Sequence, residues 1–156
     1  MTQTGDILIC RGNSWISKAI MKVTKGTWSH AAIVAETWEQ QGVIEAQSNG
    51  VNFKLWDVWQ SKWGYHYEVF RFNGEFDEKA LMLRAFEKCG ETKYDWFTFF
   101  RRAFGNRKER SDSKENKRQI CSEFVAYVWS IPEGYDITPT ELHNYLTASR
   151  KWELIK

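Results

Sequence analysis

The sequence has no apolar run of about 18 residues, the length needed to cross a bilayer, and Met1 to Asp6 lacks the basic and apolar regions of a secretory signal. These absences exclude a membrane-spanning helix and lead us to expect a cytoplasmic protein. Cysteine is scarce: Cys10, Cys89 and Cys121 are odd in number and widely spaced. That spacing excludes a disulfide framework or a four-cysteine zinc site, so free thiols are expected. Net charge is small, a formal +2 from 22 Lys and Arg against 20 Asp and Glu, which argues against a nucleic-acid partner. Nor does any repeat or interior linker divide the 156 residues. One domain with one core, spanning residues 1–156, is expected.

Aromatic residues, by contrast, are plentiful: nine Trp, ten Phe and six Tyr, or 16% of the chain. Most fill a core, since each ring buries a large area, and some are left to line a cleft. Charge is also unevenly distributed. From Arg101 to Arg118 there are eight Lys or Arg against three Asp or Glu, without hydrophobic periodicity after Phe104. This reads as a solvated basic insertion, with contact to nucleic acid or an acidic membrane as the lesser alternative.

Along the chain, Gly5 and Asp6 precede the apolar run Ile7 to Ile9, which reads as a buried strand. Asn13 or Ser14 then caps a helix carrying Trp15, Ile16, Ala19, Ile20 and Val23, ending near Lys25 and Gly26. Ala31 to Ala35 and Val43 to Ala46 suggest a hairpin, with Gly42 in the polar stretch between them. Val51 to Phe53 extends the sheet, and His66 to Phe72 is a further β-like stretch. Helical spacing runs from Asp77 to Cys89, another helix starts near Asp95, and Cys121, Phe124, Val125, Val128 and Trp129 mark one face of a third. Thr138-Pro139-Thr140-Glu141 has the form of a capping box opening a C-terminal helix, and Trp152 to Ile155 reads as an edge strand.

Three residues carry candidate chemistry. A thiol attacks mainly as thiolate, and the unpaired N–H groups at a helix start favour negative charge. Cys121 opens a helix; the bland alternative is a first buried position on an apolar face, and periodicity alone does not choose. Cys10 and Cys89 read as core fillers. A thiolate needs a base, and the base an orienting acceptor. Of three histidines, His30 opens a strand after Thr27-Trp28-Ser29, whereas His66 and His143 lie in less defined or exposed-looking places. Glu45 interrupts the apolar run Val43-Ile44-Glu45-Ala46. A carboxylate there is costly unless paired, and in the hairpin it lies beside the strand of His30; a wet edge strand is the alternative.

The segments GDILIC, WSHAAIVAE, VIEA, GETKYDWFTFF, CSEFVAYVW and ITPTEL together resemble the permuted papain-like branch of the NlpC-type cysteine peptidase superfamily, especially its YiiX-like group. The order His30, Glu45, Cys121 is the permuted one, since ordinary papain-like enzymes place the cysteine first. The resemblance implies an α+β fold, an antiparallel sheet of about six strands packed on helices. It also implies Cys121 as nucleophile, His30 as general base and then acid, and Glu45 as the orienting residue. The backbone N–H of Cys121 is then a donor to the oxyanion. Tyr94 and Asp95 match a Tyr-Asp signature; Tyr94 and Trp28 are expected to support the substrate cleft. Two departures are the basic insertion and the pair Ala31-Ala32 after the histidine, where relatives often carry a larger residue and a glycine.

The expected activity is hydrolysis of an amide, ester or thioester through an acyl-enzyme on Cys121, with no cofactor and no metal. A small peptide, acylated amine or lipid amide is the first substrate expectation. The rivals are an inactive module binding lipid or an acidic partner, an acyltransferase of the lecithin:retinol type, and a zinc site built from Cys121, His30 and Glu45.

Overall fold

The computed structural model describes residues 1–37, 40–47, 49–64, 66–90, 121–132, 134 and 136–156. The expected helix from Asp95, the cleft residue Tyr94 and the basic segment Arg101 to Arg118 lie outside the described residues.

Six strands form one antiparallel sheet: β1 (Ile7–Cys10), β2 (His30–Thr37), β3 (Gln40–Gln47), β4 (Gly50–Leu55), β5 (Tyr67–Phe72) and β6 (Trp152–Leu154), in spatial order β4-β3-β2-β1-β5-β6. The apolar runs of β1 and β2 are continuous because these strands are central and covered on both faces. Their residues alternate between two cores. Ile7, Ile9, Ala31, Ile33, Ile44 and Phe70 belong to one, and Leu8, Cys10, Ala32, Val34, Val43 and Val69 to the other.

Five helices are described: α1 (Trp15–Thr24), α2 (Trp56–Trp63), α3 (Glu78–Glu87), α4 (Cys121–Val128) and α5 (Pro139–Ala148). Each expected cap forms. The Ser14 side chain accepts from the N–H of Ser17 at 3.1 Å, and the Thr138 and Glu141 side chains accept reciprocally from each other's backbone with Pro139 in the first turn. Helices α3, α4 and α5 supply the first core with Leu81, Phe124, Val125, Leu142 and Leu146. Helix α2 covers the opposite face with Trp59, flanked by Trp56 and Trp63.

Three expectations change. Helix α2 is absent from the sequence reading: it begins where β4 ends, its N-cap Leu55 makes no side-chain cap, and so the usual start signal is missing. Gly42 lies inside β3, paired with Ala35 and Leu55, not in the turn. A Cβ there would stand 2.3 Å from the Phe53 ring and 2.4 Å from the Lys54 carbonyl oxygen, so the glycine makes room for β4 to pack. Lastly, α4 is buried nearly all round and not on one face. Ser122 is 0% and Glu123 8% exposed, the first donating to the Ile137 carbonyl and the second accepting from the N–H of Asp136 at 3.0 Å.

Candidate active site

The register of the sheet assembles the site. His30 begins β2 and pairs with Cys10 at the end of β1, while Glu45 in β3 stands opposite Ala32. His30 and Glu45 are therefore diagonal neighbours on one face, a spacing that long side chains bridge. Between them only the methyl of Ala32 projects, so the Glu45 side chain reaches back and its Oε2 accepts from His30 Nε2 at 2.7 Å.

Glu45 is fully buried, and a lone carboxylate at that depth would take up a proton. Its partners prevent this. Trp59 Nε1 donates to the same Oε2 at 3.2 Å. On the other oxygen, Lys54 Nζ lies at 2.9 Å and the Gln47 amide also donates; Gln47 in turn accepts from Lys54 at 2.9 Å. Burial alone pushes the carboxyl up, but the hydrogen bond and charge of His30, then those of Lys54, outweigh it and hold Glu45 at about 2.

With Nε2 committed to Glu45, Nδ1 is the nitrogen left for a further partner. Helix α4 packs across β2 and β3 and brings its first residue, the buried Cys121, to the His30 ring. Burial by itself favours the neutral imidazole. Attraction to Cys121 and a hydrogen bond with it, followed by the hydrogen bond and charge of Glu45, reverse that preference and raise His30 from 6.5 to about 9. The ring plane is fixed by Trp63, stacked on it with centroids 4.8 Å apart and planes 7° apart. A thiol, an imidazole held by a stacked indole, and a carboxylate with four partners can together form an ion pair able to attack a carbonyl carbon.

The structure thus brings Cys121, His30 and Glu45 together. Trp28 lies two residues before the histidine, its ring stacked on His143 at 5.0 Å and its backbone N–H donating to Thr140 Oγ1 at 3.1 Å. His143 is not simply exposed, because its Nε2 pairs with Glu68 at 2.9 Å. Cys10 is fully buried, and burial, then the charges of Glu45 and Cys121, push its thiol well up, against the opposing pull of Lys62. It neighbours the site as a neutral thiol. Cys89 is half-buried, and burial raises its thiol as well.

Sequence reasoning missed Trp59, Trp63, Lys54 and Gln47. A usable signal was present for the tryptophans, since Trp56, Trp59 and Trp63 follow i, i+3, i+7 spacing. As for metal, among the described residues no group of three or more His, Cys, Asp or Glu side chains is arranged to hold an ion. His30 and Glu45 spend their facing atoms on each other, which does not fit the zinc reading.

An antiparallel sheet with His and Glu on adjacent strands, followed late in the chain by a helix that starts at the cysteine, is a papain-like arrangement in permuted order. The chain belongs to the family of permuted papain-like amidases, the YaeF/YiiX or C92 family, whose model matches residues 1–151. Among solved structures it is similar to the metalloprotein YiiX from Escherichia coli O157:H7, with a TM-score of 0.67, 21% identity, and 99% of this chain and 96% of that one covered. Among curated proteins nothing matches the sequence.

Proposed function

We propose that the protein is a cysteine amidase whose nucleophile is Cys121, with His30 as base and Glu45 as its orienting acid. The observation that carries this is the His30–Glu45 hydrogen bond of 2.7 Å in a buried setting, which leaves the second ring nitrogen to the thiol at the start of α4. In this reading the Cys121 thiolate adds to the carbonyl carbon of an amide, and the N–H of Cys121 donates to the developing oxyanion. The C–N bond then breaks as His30 gives its proton to the departing amine, leaving a thioester on Cys121. Water attacks the thioester, His30 takes its proton, and the C–S bond breaks to return the thiolate. An ester or thioester substrate follows the same course with an alcohol or thiol as leaving group. A peptide, an acylated amine or a lipid amide fits this chemistry, and Trp28, two residues before the base, is assigned to the substrate cleft.

The test is alkylation with iodoacetamide over a pH series, with peptide mapping, in the native chain and in His30→Ala. Selective labelling of Cys121 over the buried Cys10 and the half-buried Cys89, lost in the variant, is expected. Turnover of acyl substrates by the native chain is expected to vanish in Cys121→Ala with the fold intact. Hydrolysis that survives in Cys121→Ala overturns the assignment.

A further inference from the structure

From Arg11 to Ala35 the chain carries four Lys or Arg and no Asp or Glu. Helix α1 lies within this stretch, and the basic residues are not spent on partners, since no ion pair among the described residues involves Arg11, Lys18, Lys22 or Lys25. Trp15, Lys18 and Lys22 follow i, i+3, i+7 spacing and so share one face of the helix. All three are exposed, and Trp15 is 75% exposed. The opposite face holds Ser17 and Ile20, the buried residues of α1. An indole left open to water beside two lysines is an unfavourable surface for a helix in solution. It is a favourable one where indole meets the headgroup level of a bilayer and ammonium groups meet anionic lipid.

The helix is also held in a fixed attitude. At its start a Cβ on Gly12 would come within 2.2 Å of Ser17 Oγ and 3.0 Å of the Trp63 ring, and at its end a Cβ on Gly26 would come within 2.1 Å of Thr140 Oγ1. Both glycines permit close approaches that clamp α1 to α2 and α5. The residues flanking it, Cys10 and His30, are paired in the sheet, so α1 projects from the sheet end where the candidate site lies.

We infer that the Trp15, Lys18 and Lys22 face of α1 docks this protein on an anionic lipid surface. Charge complementarity selects that occupant: the face presents cations and an indole and no acceptor of its own. A membrane seated there lies against the end of the sheet that carries His30. Docking does not depend on the amidase reading, although a lipid amide would reach the site by this route.

The experiment is co-sedimentation with vesicles of equimolar phosphatidylcholine and phosphatidylglycerol, and with vesicles of phosphatidylcholine alone. Native chain, Trp15→Ala, the double variant Lys18→Gln with Lys22→Gln, and Cys121→Ala are compared, with thermal unfolding as the check on folding. Binding to the anionic vesicles is expected, weaker on neutral ones and weakened by salt. The double variant is expected to lose about 25-fold in partitioning, at about fivefold for each lysine near the surface. Trp15→Ala is expected to lose binding as well, whereas Cys121→Ala binds as the native chain does. No binding to anionic vesicles overturns the inference, and so does binding that both α1 variants retain, which would place the contact elsewhere.

Discussion

Glu45 and Asp6 are carboxylates buried in one protein, 0% and 2% exposed, and their partners set them apart. Asp6 lies just before β1 and is gripped by the Arg71 fork, with Nε at 2.9 Å from one oxygen and Nη2 at 2.7 Å from the other. The N–H of Gln3 donates to it at 2.9 Å. A guanidinium keeps its charge at any working pH, so that contact begins and ends with itself. Glu45 is held as completely, but one of its partners is an imidazole with a second nitrogen and an accessible protonation change. What separates a structural buried acid from one that can serve chemistry is therefore whether its partner can pass a proton onward.

The comparison is tested most strongly by turning each acid into its amide. Glu45→Gln is expected to lower acyl hydrolysis by about 10²- to 10⁴-fold, because the amide no longer fixes the imidazole tautomer or stabilises its cation. Asp6→Asn is expected to leave turnover within about threefold while costing about 1.5–3 kcal/mol of stability, the range for hydrogen bonds to charged groups. Activity assays and denaturant titrations on both variants check this. Equal losses of activity at matched stability would erase the distinction.

A pH series sharpens it next. His30 stands at about 9 in the fold against an ordinary 6.5, so its stabilising contribution is complete below 6.5 and is lost as pH rises through 9. Glu45 stands at about 2 against 4.5, so its contribution is complete above 4.5 and is lost as pH falls toward 2. Both contributions are present together between 4.5 and 6.5. The urea midpoint of the native chain is expected to fall from pH 6 to pH 10 more steeply than that of His30→Ala. Parallel curves would remove the Cys121–His30–Glu45 coupling.

Smaller effects are expected from the supporting partners of Glu45. Lys54→Met removes an ammonium that holds the carboxyl down, so the acid limb of the pH–rate profile is expected to move upward while the alkaline limb stays. Trp59→Phe removes a single donor at 3.2 Å and is expected to cost about 1 kcal/mol with at most about tenfold in turnover. A pH–rate profile and an unfolding curve read both.

Much of the fold was legible because local signals and burial agree. The strand Ile7 to Ile9, the caps at Ser14 and Thr138, and the helix from Cys121 follow from apolar runs, capping side chains and helical spacing. Glu45 was legible as an anomaly, a charge inside an apolar run. The residues that make the anomaly tolerable were not, since Trp59 and Trp63 sit on a helix without a cap and Gln47 and Lys54 look like ordinary surface positions. Gly42 misled for a related reason. It serves a close approach by Phe53 and Lys54 from the next strand, and nothing local to it records that neighbour.

By itself the sequence determined most of the strands and helices, α2 apart, the permuted order His30, Glu45, Cys121, and the membership of the chain in a family of permuted papain-like amidases. Those properties depend on residue type and near spacing along one chain. Only the tertiary structure decided the register that places Ala32 opposite Glu45, the seating of Trp63 against the imidazole, and the four partners that keep a fully buried carboxylate charged. They depend on which strand lies beside which and on how much water remains there, and that is fixed when the sheet and its two layers of helices close together.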